Sequence, residues 1–208
     1  MTQDNFYNQY WQERGQSKGL RLRYRIFSNW LEPGSRVLDL GGGDGHLGEI
    51  LTTEKHSQVT VLDLSEVAIA LAKKRGLEAR IGNLEDKLPF ADNTYDVVIL
   101  SEVLEHLVNS ENVIKEAMRV CKKMVIGSVP NTGYFKYRWQ LLTGHFPKQW
   151  LVSPTEHLRF WTIVDFKKMI ADLNLKINKL AASAGRRFLR DWYPPLFAEQ
   201  ICFKLIKD

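Results

Sequence analysis

Short apolar runs alternate with longer amphipathic stretches along most of this chain. Residues 36–40, 59–62, 78–81, 95–100 and 123–129 read as five strands. The unbroken run Val97-Val98-Ile99-Leu100 is typical of a strand buried on both faces. The intervening segments predict helices over about 44–53, 65–75, 102–107 and 110–120. Ser65 stands where its hydroxyl can take up a free N–H at a helix start, and Gly76 closes that helix. A helix from Leu20 to about Leu31, ended by Glu32-Pro33-Gly34, precedes the first strand. The aromatic segment Phe6, Tyr7, Tyr10 and Trp11 predicts another helix before it. After Pro130, residues 131–161 form a long aromatic and basic insertion with some helix. A helix over about 162–173 and two late strands, near 176–180 and 200–206, complete the chain. Alternating strand and helix predict an α/β fold: a doubly wound, mostly parallel seven-stranded sheet in one domain spanning 1–208. Residues 1–34 form an N-terminal helical cap, and the insertion follows strand five.

Composition narrows this picture. Apolar residues make up 44% of 208, enough for a full core, so a disordered chain is excluded. No apolar run approaches the roughly 18 residues of a membrane span, and the polar start of the chain has no apolar signal core. Cys121 and Cys202 are far apart, without metal-type spacing. They read as reduced core thiols of a cytoplasmic protein. Net charge is +5, but residues 119–208 carry 16 Lys+Arg against 6 Asp+Glu. That asymmetry is either a solvated basic face or the reception of an anionic substrate or partner.

The chemistry is concentrated in Val37-Leu38-Asp39-Leu40-Gly41-Gly42-Gly43-Asp44-Gly45. A strand, a glycine turn and a helix start make a nucleotide pocket at the carboxyl edge of a parallel sheet. Residues 43–48 match the dinucleotide fingerprint, which keeps a nicotinamide oxidoreductase open. The register Asp39-x-Gly41-x-Gly43-x-Gly45 instead resembles motif I of class I S-adenosylmethionine-dependent methyltransferases, and it fits without a shift. Further motifs follow that resemblance. Asp63-Leu64 closes the second strand, Gly82-Asn83-Leu84 is similar to the third motif with Asn in place of the usual Asp, and Ser101-Glu102-Val103-Leu104-Glu105-His106-Leu107 follows strand four. The second half, through Ser128-Val129-Pro130-Asn131, 138–142, Glu156-His157-Leu158-Arg159-Phe160-Trp161-Thr162 and 196–200, resembles the MetW-type branch. Residues 102–106 depart toward quinone-type O-methyltransferases.

The resemblance implies a Rossmann-like class I methyltransferase fold. It implies S-adenosylmethionine as cofactor, S-adenosylhomocysteine as product, and a cofactor site built from Asp39, Gly41, Gly43, Gly45, Asp63, Leu64, Asn83, Leu84, Ser101 and Glu102. It also implies two functions: methyl transfer to O or N of a small, acidic metabolite, or a regulatory role beside a homoserine acyltransferase in methionine biosynthesis. A nucleic-acid acceptor is disfavoured by the lack of an appended binding module. Methyl transfer to an O–H or N–H acceptor needs a proton acceptor, and His106 and His157 are the candidates. Glu102, Glu105 and His106 fall at i, i+3 and i+4. With His157 they have the donors of a divalent-cation site, but no metal is assigned. Arg138 or Arg159 can hold an acidic group on the acceptor, and the four N-terminal aromatics can form a lid.

Overall fold

The computed structural model describes residues 3–147 and 157–207. The strands are β1 Arg36–Leu40, β2 Gln58–Asp63, β3 Glu78–Ile81, β4 Tyr95–Ser101, β5 Cys121–Pro130, β6 Ile177–Gly185 and β7 Ala198–Ile206. The helices are α1 Gln3–Arg14, α2 Leu22–Trp30, α3 His46–Lys55, α4 Glu66–Lys74, α5 Ser110–Val120, α6 Phe135–Leu142, α7 Ile163–Asp172, α8 Leu189–Trp192 and α9 Pro194–Phe197. All seven strands lie in one sheet, ordered β3-β2-β1-β4-β5-β7-β6. β1 through β5 pair in parallel, and β7 runs antiparallel to both β5 and β6. This is the doubly wound, mostly parallel α/β sheet that the pattern predicts.

Each face of the sheet buries its own helices. Phe27, Leu51, Ile69 and Ala72, from α2, α3 and α4, pack on Val37, Val61 and Ile99. On the other face, Val113, Ile114 and Ala117 of α5 and Phe166 and Ile170 of α7 pack on Leu38, Val98 and Phe203. Side chains alternate across a strand, so Leu38 and Ile99 feed opposite faces and both must be apolar. Cys121 and Cys202 are free and buried in this core, and burial pushes their thiols up to about 11 and about 12.

Three elements differ from the sequence expectation. The helix expected from Asp44 begins at His46, because Gly45 precedes it in a left-handed conformation, φ +72°. The helix expected over 102–107 shrinks to one 3-10 turn, Leu104–His106. Glu102 sits at φ +56°, which no right-handed helix accommodates. β6 runs on to Gly185, and the two short helices α8 and α9 fill the connection to β7. Of the insertion after strand five, 131–147 contributes α6. The part from 148 to 156 lies outside the described residues.

Candidate methyl-transfer site

The parallel strands end together, and at their carboxyl edge α1, α2 and the loops enclose a cavity of about 320 Å³. Asp39 lies on its floor near the end of β1. It is 1% exposed, and among the described residues its Oδ1 has no partner. Burial pushes its pKa up to about 7, helped by Asp63 and Asp44 and opposed by Arg23. An unpaired buried carboxylate oxygen is costly in an empty protein. A cation placed there satisfies it.

Asp63 closes β2. Its Oδ2 accepts the Gly43 N–H at 2.9 Å and its Oδ1 accepts the Ser65 N–H at 2.9 Å. Burial raises its pKa, and N–H donation from Ser65, Gly43 and Leu64 opposes the rise. Each carboxylate oxygen has a second lone pair, so Asp63 both shapes the glycine turn and can accept from a ligand. Leu64, Asn83 and Leu84 line the same side, and Asn83 Oδ1 accepts the Glu85 N–H at 3.0 Å.

Gly41 and Gly43 line the cavity, whereas Gly45 does not. A Cβ on Gly45 would lie 2.6 Å from Leu77 Cδ1 and 3.0 Å from Ala72 Cβ, so this glycine serves packing behind the cavity wall. A Cβ on Gly43, at φ +57°, would lie 2.3 Å from Trp11 Cζ2. Trp11 on α1 thus rests directly on the turn. Phe6, Tyr7 and Tyr10 line the cavity beside it. Asn8 Oδ1 holds α1 in place by accepting the Ser65 hydroxyl at 2.7 Å. Gly43→Ala is expected to displace the indole and weaken S-adenosylhomocysteine binding by about tenfold or more. Titration calorimetry against the parent protein measures it, and unchanged affinity would show that the Trp11–Gly43 contact is irrelevant to the ligand.

The other half of the cavity is built at the ends of β4, β5 and β7. Ser101 Oγ accepts from Arg23 Nε at 3.2 Å. Glu102 Oε2 accepts from Gln200 Nε2 at 2.5 Å, and Gln200 Oε1 accepts the Ser183 hydroxyl at 2.7 Å. Tyr137 donates its hydroxyl to Glu199 Oε1 at 2.6 Å. Glu105 is 1% exposed; burial and then the nearby Glu102 raise its pKa well above the usual carboxylate range. Its backbone carbonyl accepts the N–H groups of Leu158, at 2.8 Å, and Arg159, at 3.1 Å. Those two bonds bring His157 to His106, with ring centroids 4.8 Å apart. Burial, and then His106, lower the His157 pKa to about 4, so its imidazole is neutral at physiological pH.

Donor atoms of Glu105, His106 and His157 lie within 4.8 Å of one another. Glu102, which the spacing grouped with them, instead turns its Oε2 to Gln200. Arg138 and Arg159 do not line the cavity. Arg138 Nε donates to the Gly133 carbonyl at 2.6 Å, and Arg159 Nε donates to the Val108 carbonyl at 3.1 Å. The expected anion grip is therefore absent from these two arginines. The lining arginines are Arg14, Arg21 and Arg23. Sequence reasoning missed Arg23, because nothing local marks one arginine of Arg21-Leu22-Arg23-Tyr24-Arg25 as buried. It also gave no site role to Glu199 and Gln200, whose signal is a polar pair at the start of a mostly apolar strand.

Solved structures share this architecture. Magnesium protoporphyrin IX methyltransferase (ChlM) from Synechocystis PCC 6803, with bound SAH, superposes with a TM-score of 0.72 at 16% identity, covering 99% of this chain and 98% of that one. A SAM dependent methyltransferase from Archaeoglobus fulgidus gives 0.72 at 17% identity, covering 98% and 100%. At such identity the likeness is one of fold. In sequence, the bifunctional methionine biosynthesis protein MetXA/MetW of Rhodopirellula baltica is 31% identical over 187 residues, 80% of this chain and 29% of that protein. A ubiquinone/menaquinone biosynthesis C-methyltransferase UbiE of Roseobacter denitrificans is 32% identical over 112 residues, 49% of this chain and 45% of that protein. The chain thus spans less than half the length of either of these curated relatives. Among the described residues no helix is long and apolar enough to cross a membrane. The family pattern described as "Methionine biosynthesis protein MetW" matches residues 21–205, most of the chain, and the chain belongs to the MetW family within the class I methyltransferase fold.

Proposed function

We propose that the protein binds S-adenosylmethionine between Asp39, the glycine turn and Asp63, and transfers its methyl group to a small-molecule acceptor. One observation carries this reading: the buried Asp39 carboxylate has an unpartnered oxygen at the floor of a cavity whose turn leaves no room for side chains. The residues present fit the cofactor. Asp39 offers a carboxylate to its ammonium group, Asp63 offers lone pairs to ribose hydroxyls, and Asn83 with Leu84 offers an amide and an apolar wall to adenine. When bound, S-adenosylmethionine supplies an electrophilic methyl on a cationic sulfur. Tyr10 and Trp11 line the same cavity and can shield a bound cofactor from water. Ser101, Glu102, Glu105, His106 and His157 surround the remaining space. There His106 and His157, with ring centroids 4.8 Å apart, are the candidates for the acceptor's proton. The burial that lowers the His157 pKa to about 4 makes it a weak base, better suited to accepting a hydrogen bond.

The test is direct. S-adenosylhomocysteine should raise the melting temperature of the purified chain, whereas NAD and NADP should not. Stabilisation by NAD and not by S-adenosylhomocysteine would reject the assignment.

A second reading has its own support. The Rhodopirellula baltica relative joins a MetXA part and a MetW part in one protein, which favours a regulatory partnership with an acyltransferase. Under that reading the protein binds the cofactor, co-purifies with the acyltransferase and methylates nothing in a metabolite extract.

A further inference from the structure

We propose that the acceptor is an amine, whose ammonium group is received by Glu105, His106 and His157. The inference rests on the methyl-transfer reading and adds to it the class of the second substrate. It begins from the sheet order. The cofactor carboxylates Asp39 and Asp63 stand on β1 and β2, while β4 and its neighbours β5 and β7 carry the other half of the cavity. That half is lined by Glu102, Glu105 and Glu199, and its expected anion-binding arginines, Arg138 and Arg159, are engaged elsewhere. Arg23, which donates to Ser101 Oγ and opposes the rise of the Glu105 pKa, meets these three carboxylates there, so an acidic acceptor would face more negative than positive charge.

Buried oxygens show what is wanted instead. Among the described residues, Glu105 Oε2, Glu102 Oε1 and His157 Nδ1 are buried without a hydrogen-bond partner. All three residues line the cavity, and Glu105 is 1% exposed. The two carboxylate oxygens call for donors, and an imidazole nitrogen can accept one as well. Aromatic faces complete the surroundings, with Tyr7 edge-on to His106 at 6.4 Å and Tyr137 on the same lining. Acid plus aromatic surface is the usual receptor for an organic ammonium.

The spacing of these donors admits an ammonium. The donor atoms of Glu105, His106 and His157 span up to 4.8 Å. An ammonium nitrogen with hydrogen bonds of about 2.8–2.9 Å reaches tetrahedral acceptors about 4.7 Å apart. A divalent ion with bonds of about 2.1 Å draws tetrahedral ligands to about 3.4 Å. Donors within 4.8 Å of one another accommodate the first, and a chelator tests for the second.

The same groups complete the reaction. An N–H proton of the ammonium passes to an imidazole nitrogen, which frees the nitrogen lone pair. That lone pair forms the new N–CH₃ bond while the electron pair of the broken S–CH₃ bond stays on sulfur. The products are a methylammonium ion, S-adenosylhomocysteine and the one proton taken up by the imidazole, which leaves to solvent.

Three probes of one size test the idea on the full chain saturated with S-adenosylhomocysteine: benzylamine, benzyl alcohol and benzoate. Calorimetry should show benzylamine binding and neither of the others within tenfold of it. Glu105→Gln should weaken benzylamine about tenfold or more and leave S-adenosylhomocysteine affinity intact. His157→Asn should do the same, and it covers the case in which Glu105→Gln does not fold. Benzoate or benzyl alcohol binding as well as benzylamine would overturn the proposal, as would wild-type benzylamine affinity in both variants. Benzylamine binding lost in chelator and restored by Mn²⁺ would also overturn it, in favour of a metal at the same three residues. If S-adenosylhomocysteine binds and benzylamine does not, the amine assignment alone falls. If S-adenosylhomocysteine itself fails to bind, the cofactor reading falls first.

Discussion

Asp39→Asn is expected to make the empty protein more stable above pH 7 while weakening S-adenosylhomocysteine binding about a hundredfold, the scale of a lost charge-assisted hydrogen bond. Both effects come from one buried carboxylate. Its pKa rises from 3.8 to about 7, chiefly through burial. Between those values the folded chain holds a proton that the unfolded chain has released. Stability therefore falls as pH climbs through that window, and above pH 7 the ionised, unpaired oxygen weighs on the folded state in full. Asparagine carries no charge and removes that cost, which should raise the melting temperature at pH 8 by several degrees. The ligand's ammonium needs the ionised form. Below pH 7 binding must expel the Asp39 proton, so wild-type affinity should drop about tenfold per pH unit and calorimetry in two buffers should detect a released proton. The variant should show neither the proton nor the slope. Asp39→Asn binding with wild-type affinity would remove the cation from this floor.

The sheet was legible because its physics is local. Val37–Leu40 and Val97–Leu100 can only be strands buried on both faces. Ser65 caps α4 through the Ala68 N–H, as the residue type predicts. The glycine turn was legible for a related reason: a run of glycines directly after a buried strand leaves space that only a ligand or another chain segment can fill. Here both Trp11 and the cavity use it.

The acceptor half was read less well, since tertiary contacts decide it. Glu102 begins what looks like a helix, yet the pull of Gln200 on its carboxylate and of Ser128 on its N–H accompanies a left-handed backbone, φ +56°. That bend takes Glu102 off the helical face it was expected to share with Glu105 and His106, although it stays near enough to raise the Glu105 pKa. His157 reaches His106 through two backbone bonds to the Glu105 carbonyl, a pairing that spans about fifty residues and has no local trace. Arg23 comes in from α2, a helix read only as part of a cap, and among the described residues the basic excess of the second half, which suggested an anionic acceptor, supplies no arginine or lysine to the cavity.

Arg75→Met should cost the protein about 10 °C of melting temperature and also weaken S-adenosylhomocysteine binding, although Arg75 does not line the cavity. The Arg75 side chain is 8% exposed. Its Nη2 pairs with Asp44 Oδ2 at 2.7 Å and donates to the Ser17 carbonyl at 2.8 Å, its Nε donates to the Asp44 carbonyl at 2.9 Å, and its Nη1 pairs with Glu49. Asp44 is 2% exposed and also accepts the Ser17 N–H at 2.5 Å. One guanidinium therefore ties the end of the glycine turn to the segment joining α1 and α2. Removing it strands a buried carboxylate, a loss of about 3–5 kcal/mol, and releases the tether that keeps α1 over the turn. The double variant Asp44→Asn/Arg75→Met separates the two consequences, because with both charges gone no buried carboxylate is left unpaired, Glu49 being half-exposed. Its melting temperature should recover most of the deficit while binding stays weak, since the guanidinium's bond to Ser17 is still missing. If binding recovers together with stability, the tether plays no part in the site and α1 is held by Asn8 and Trp11 alone.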